Sequence, residues 1–196
     1  MSIDAKTWHV TPEMKEKNRI RKEERLRKKY GLVEVPLSQE EVDEAEEIAL
    51  VRCKTNNTNN DFTGALGELA VEQYLKGINE DLFQQYIDRS QLDSGDPGYD
   101  LEWNNLCVEI KCTRKLLRDV FMSVENPFDA DVFIMTRAYR KAGLFSVDLL
   151  GWLSQKEYLE KESPNFFSKL GVHRNDLRRM EEWKALSAHQ KNTLVQ

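Results

Sequence analysis

Hydrophobic positions along the chain switch between helical and strand spacing, and the changes of period outline its elements. Residues 12 to 30 are almost wholly polar and end at Gly31, which predicts a helix with little apolar periodicity: an arm, a partner-dependent helix or a flexible segment. Leu32 to Leu37 contains Pro36 and reads as a linker. Ser38-Gln39-Glu40-Glu41 is a capping box that opens a helix through about Arg52, with Val42, Ala45, Ile48 and Ala49 on its buried stripe. Asn56 to Asn60 reads as a polar loop. A second stripe, Leu66, Leu69, Ala70 and Tyr74, then predicts a helix from about Phe62 to Lys76. Gly64 and Gly67 each cost that helix ~1 kcal/mol relative to alanine. Either the backbone there approaches a sheet or substrate closely, or the helix start is loose.

From residue 96 the period falls to two. Residues 96 to 115 read as a β-hairpin about Asn104-Asn105, because asparagine tolerates the positive φ of a type I′ turn. In that register Trp103 faces Leu106, Glu102 faces Cys107, Leu101 faces Val108 and Asp100 faces Glu109. Leu101, Trp103, Leu106, Val108, Ile110 and Cys112 then share an apolar face, with Asp100, Glu102, Glu109 and Lys111 on the other. Leu117 to Val124 is a third strand candidate and Asp131 to Tyr139 a fourth, its unbroken Val132-Phe133-Ile134-Met135 run suiting a strand covered on both faces. Leu144 to Leu153 is a fifth. Ser154-Gln155-Lys156-Glu157 is another capping box, and Leu177, Met180, Trp183 and Leu186 are packing positions of a last helix from about Asn175. The fold class is α/β: a three-layer core, with a mixed sheet of about five strands flanked by helices. Residues 1–32 form a charged arm or helix, 33–165 the α/β domain, and 166–196 a C-terminal helical extension packing on it.

Charge is segregated more than the net value of −5 suggests. Thr11 to Tyr30 holds nine Lys/Arg against four Glu, whereas Glu34 to Glu47 holds seven acids and no base. Lys15, Arg19, Lys22, Arg25 and Lys29 recur three or four apart, so a helix gathers them on one side, either as a solvated face or as a nucleic-acid contact. Lys111, Arg114, Lys115 and Arg118 make a second basic cluster. No run approaches the ~20 apolar residues that span a membrane. The N-terminus lacks a secretory pattern, and Cys53, Cys107 and Cys112 read as reduced thiols, so a cytoplasmic location is expected. No Cys/His spacing suggests zinc.

Two carboxylates ~5 Å apart across a strand pair repel one another. A divalent cation such as Mg²⁺, which takes oxygen ligands, is the natural compensation for Asp100 and Glu109. Lys111, one step along the same face, is placed to meet a negatively charged substrate. Acid-x-Lys also occurs at Asp4-Lys6, Glu13-Lys15 and Glu182-Lys184, but without a facing acid on a strand.

This arrangement, Asp100 followed by Glu109-Ile110-Lys111 on the second strand, resembles the PD-(D/E)xK nuclease superfamily. Gly64-Ala65-Leu66-Gly67-Glu68 is similar to the helix that family often places before its hairpin. The resemblance covers about residues 60 to 153 and departs at Tyr99, where the family has proline. It implies a restriction-endonuclease-like fold and metal-dependent hydrolysis of phosphodiester bonds, in DNA before RNA. By the same resemblance Asp100, Glu109 and the Ile110 carbonyl ligate Mg²⁺, with Mn²⁺ substituting. Glu68 serves the metal or a bound water, and Lys111 orients the attacking water or stabilises charge on the phosphate. The partner is nucleic acid and not a membrane, and a homodimer remains open. The alternative function is a non-catalytic nucleic-acid-binding or protein-interaction module on the same fold.

Overall fold

The computed structural model describes residues 11–52, 58–79, 81, 83–86, 99–115, 121–124, 127–141, 143–164 and 170–183. The chain begins with α1 (Pro12–Tyr30), capped by the Thr11 hydroxyl, which accepts from the Met14 N–H at 3.2 Å. It stops at Gly31, whose φ of 60° closes a Schellman cap: Leu32 N–H donates to Arg27 O and Gly31 N–H to Lys28 O. Beyond it, β1 (Val33–Pro36) occupies the segment expected to be a linker. It pairs antiparallel with β7 (Leu144–Ser154) at the sheet edge, where Pro36 at the strand's end is tolerated. The capping box of α2 (Gln39–Arg52) is present in both directions, Ser38 N–H to Glu41 Oε2 at 2.7 Å and Glu41 N–H to Ser38 Oγ at 3.2 Å. Helix α3 (Thr58–Ile78) starts earlier than its apolar stripe indicates, since Asn59 and Asn60 already belong to it.

Among the described residues, six strands form the main sheet. They are β1, β2 (Phe83–Tyr86), β3 (Leu101–Trp103), β4 (Leu106–Thr113), β6 (Val132–Lys141) and β7 (Leu144–Ser154), in the order β1-β7-β6-β4-β3-β2. The pairing of β4 with β6 is parallel and the other four are antiparallel, so the sheet is mixed. Of the 117–124 segment, expected as a third strand, the described residues 121–124 do not join it. Its described part, β5 (Phe121–Met122), pairs with β9 (Leu170–His173) in a small second sheet completed by β8 (Ser163–Pro164). The chain must cross over between the parallel strands β4 and β6, and that crossover carries β5 away from the main sheet.

Alternation along β4 and β6 separates two cores. Val108, Ile110, Val132 and Ile134 pack with Ala45, Leu66 and Ala70 of the helices α2 and α3. Phe133, Met135, Leu150 and Leu153 pack with Tyr158 of α4 (Gln155–Lys161) and with Met122 and Val172 of the small sheet. At Gly67 the α3 backbone lies so close to the sheet that an added Cβ would meet the Cys112 Cβ at 2.6 Å and Thr136 Oγ1 at 2.7 Å. The glycine is therefore needed for close approach. In place of the helix expected from Asn175, a 3-10 turn (Arg174–Asp176) leads to a two-way backbone bridge between Arg178 and Trp152, then to α5 (Met180–Trp183). Met180 and Trp183 are buried in the larger core, and Leu186 lies outside the described residues.

Helix α1 buries no residue completely, yet it is docked. Leu26 packs on the second core, and Arg27 Nε donates to Asp148 Oδ1 at 2.8 Å. Arg137 Nη2 donates to Glu23 Oε1 at 3.2 Å and Arg137 Nη1 to Asp148 Oδ2 at 3.4 Å. Burial raises the pKa of Asp148, against the pull of the Arg27 hydrogen bond and of both arginine charges. No helix among the described residues is long and apolar enough to cross a membrane.

Candidate active site

The hairpin has the anticipated turn and ladder. Asn104 and Asn105 have φ of 52° and 59°, as a type I′ turn requires. Trp103 faces Leu106, Glu102 faces Cys107 and Leu101 faces Val108. The ladder ends there, and Asp100 sits in a bend instead of continuing the strand. Its N–H donates to Val108 O at 2.9 Å, and its carboxylate Oδ2 accepts the Ile110 N–H at 2.6 Å. Asp100 thus leans across onto the backbone of the Glu109-Ile110-Lys111 triplet and is only 1 % exposed. The short, charge-assisted bond fixes this carboxylate where simple register would have placed it less closely.

Glu109 is also almost fully buried, at 3 %, and forms an ion pair with the Lys111 ammonium, whose side chain stays about one third exposed. Both project from β4 away from α3, since Cys112, one step on, meets Gly67. Beside them Tyr99 Oη donates to Glu102 Oε1 at 2.8 Å, which with burial pushes the phenol up to about 12. The Cys112 thiol is pushed up to about 11 by its burial, so it is a packing group and not a nucleophile.

Glu68 is placed differently from the other three. It stands on the α3 side, near Cys112, and its carboxylate is held by Arg52 of α2 in a two-pronged bond, Nη1 to Oε1 at 2.7 Å and Nη2 to Oε2 at 2.8 Å. Asp100, Glu109, Ile110 and Lys111 are brought together; Glu68 faces the opposite pleat of β4. Among the described residues no group of three or more His, Cys, Asp or Glu is gathered closely enough to hold a metal ion.

Of the basic residues, Arg114 continues β4 with its guanidinium over the Phe62 ring at 5.4 Å, and Lys115 is exposed. Arg118 lies outside the described residues. Lys15, Lys22, Arg25 and Lys29 are all exposed along α1, while Arg19 bonds Glu16 through Nη2 at 2.6 Å and through Nε at 2.8 Å. Arg19 and Arg114, about ninety positions apart in sequence, line one groove at the end of the sheet. Residues that the sequence did not single out are Arg52, whose tie to Glu68 is tertiary, and Arg140, which joins the same groove. The alternation of β6 places Arg140 opposite Phe145, but no local signal marks it as functional.

The chain matches no protein-family model, no curated protein and no solved structure.

Proposed function

We propose that the chain is a divalent-metal-dependent nuclease that hydrolyses phosphodiester bonds, DNA before RNA, on a restriction-endonuclease-like core. The observation that carries the reading is the Asp100 carboxylate docked on the Ile110 N–H. It concentrates two nearly buried carboxylates and one lysine at the end of a rigid hairpin, an arrangement that is costly as packing alone.

The residues fit a hard cation. Mg²⁺ keeps several waters and is commonly held by one or two carboxylates together with substrate phosphate, so Asp100, Glu109 and the Ile110 carbonyl suffice without a complete protein cage. Held there, such an ion would supply a water of lowered pKa and offset charge on the phosphoryl oxygens. Asp100 and Glu109 provide the negative field that holds it. Lys111, paired with Glu109 but partly open to solvent, is released towards phosphate when Glu109 takes up a ligand role, and there stabilises the developing charge. Glu68, locked to Arg52, ties α3 to α2 and would reach a metal or a bound water only if that pair opened.

The same Glu109–Lys111 pair, already satisfied internally, favours the second reading, a non-catalytic nucleic-acid-binding module. Nicking of supercoiled plasmid in Mg²⁺, with Glu109→Gln as the matched control, separates the two. Cleavage by the wild type that the variant loses is the expected result. No Mg²⁺-dependent cleavage of plasmid, linear duplex, single-stranded DNA or RNA would overturn the nuclease assignment.

A further inference from the structure

The end of the sheet where β4 and β6 finish and β7 begins forms a groove of about 710 Å³, within the range of ligand-sized sites. Arg19, Arg114, Arg137 and Arg140 line it, with Phe62 and Phe145 on its wall and Glu46 the one acid. The two rings meet edge to face at 5.5 Å. Arg114 lies over Phe62 at 5.4 Å and Arg140 over Phe145 at 4.7 Å. The charges of Arg19 and Arg137 are balanced by Glu16, Glu23 and Asp148. Arg114 and Arg140 are exposed and have no carboxylate partner among the described residues.

We infer that this groove binds an unpaired stretch of nucleic acid, a few nucleotides long. The inference rests on the phosphodiester reading of the Asp100–Lys111 site for the identity of its ligand. Guanidinium groups set over aromatic rings, as here, pair a cation that bonds phosphate with π-surface on which an unstacked base can lie. Bases in a duplex are already stacked and cannot use such a recess, whereas those of a single strand are free to do so. An anion-binding surface without a base partner would not need the rings. Arg114 follows Lys111 by three residues, ~10 Å of strand, and the odd step turns the two side chains to opposite faces, so a chain seated in the groove reaches the hairpin only around the end of the sheet.

The test is equilibrium binding by fluorescence anisotropy, with the full chain in EDTA so that cleavage does not intervene. The labelled probes are oligo(dT), oligo(rU), a blunt duplex of equal length and polyglutamate. Single strands should bind more tightly than duplex or polyglutamate, and the ratio of the dT and rU affinities assigns the sugar. Arg114→Ala with Arg140→Ala, both at exposed positions, should weaken single-strand binding at least ~10-fold. It should also reduce the salt slope by up to ~1.4, at ~0.7 per phosphate contact. Phe62→Leu, with folding checked by circular dichroism, should lose on the order of 10-fold for one stacked base while leaving the slope unchanged. Unchanged single-strand affinity in the double arginine variant, or a wild-type preference for duplex or polyglutamate, would overturn the inference. Tight single-strand binding by a chain that never cleaves would sink the nuclease reading and leave the groove standing.

Discussion

Replacing Gly67 by alanine tests whether the approach of α3 to the sheet is as close as the structure has it. In an unobstructed helix interior the change is stabilising by ~1 kcal/mol, because glycine pays the larger backbone entropy. Here the new methyl would lie 2.6 Å from the Cys112 Cβ and 2.7 Å from Thr136 Oγ1, both inside van der Waals contact. Neither atom is the far end of a flexible chain, so helix and sheet must part by several tenths of an ångström. Overpacking of this kind costs ~1–3 kcal/mol. With the propensity gain subtracted, the net is a loss of up to about 2 kcal/mol, or up to ~8 °C in Tm for a chain of this size. Gly77 in the same helix provides the control, since a Cβ there meets nothing within 4 Å and Gly77→Ala should be neutral or stabilising. Urea denaturation of the two variants should therefore give midpoints displaced to opposite sides of the wild type. A Gly67→Ala protein as stable as Gly77→Ala would show that the helix does not sit where the Gly67 contacts place it.

Four other outcomes follow from the same geometry. Millimolar Mn²⁺ should raise the Tm by mass action, and Asp100→Asn should reduce that shift; a wild-type melting curve insensitive to Mn²⁺ would remove the metal site. Lys111→Ala should lower cleavage by ~10²–10³ with metal-induced stabilisation retained, and equal activity in wild type and variant would count against its role at phosphate. Asp148→Asn should cost ~3–5 kcal/mol in urea denaturation and expose α1 to trypsin, because Arg27 and Arg137 would lose their buried counter-ion; a loss below ~1 kcal/mol would mean that the network does not hold the helix. Burial tends to raise the Glu157 pKa, but the Ser154 N–H and hydroxyl and Arg178 overcome it and hold the carboxyl below its ordinary value. Its stabilisation is therefore complete above the unfolded value of ~4.3 and fades as pH falls through the lower folded value, so Glu157→Gln should make the acid side of the stability profile shallower.

Local signals carried furthest where one short segment determined its own structure. Asn104-Asn105 set the turn, and the turn set the pairing of Leu101, Glu102 and Trp103 with Val108, Cys107 and Leu106. The boxes at Ser38 and Ser154 opened their helices as anticipated, since a cap is a matter of four residues. What failed to show was the choice of partner. Val33 to Pro36 is too short for alternation to be distinguished from a linker, and it becomes β1 only because β7 offers an open edge. Residues 121 and 122 look like any strand, but β6 takes the position beside β4 and leaves them to β9. At the site, Glu109 and Lys111 were legible from strand period. The lean of Asp100 onto the Ile110 N–H was not, because it depends on the chain bending before β3. The tie of Glu68 to Arg52 was equally hidden, since it joins two helices whose crossing no local pattern specifies.

The docking of α1 bears on how such a site would recruit a polyanion. An apolar face would hold the helix more firmly, because an ion network recovers little beyond its own desolvation cost. The helix instead meets the sheet through Leu26 and the pairs of Glu23 and Arg27 with Arg137 and Asp148. These pairs consume the charge on its inner side in a neutral set of two acids and two bases, while Lys15, Lys22, Arg25 and Lys29 stay on the outside. Arg137 and Asp148 face each other across β6 and β7, and Thr113, two residues after Lys111, pairs with Arg137. The anchor of the basic helix and the lysine of the proposed site are thus braced by adjacent strands on one face of the sheet. Salt would act on the two sides of α1 differently: contacts of the outer row to a bound phosphate would be exposed and screened within about 8–10 Å at ordinary ionic strength, whereas the Asp148 pairs are shielded by burial. Raising salt should therefore release nucleic acid from the outer row before it releases the helix from the sheet, so weakened binding and intact α1 protection occur over the same salt range.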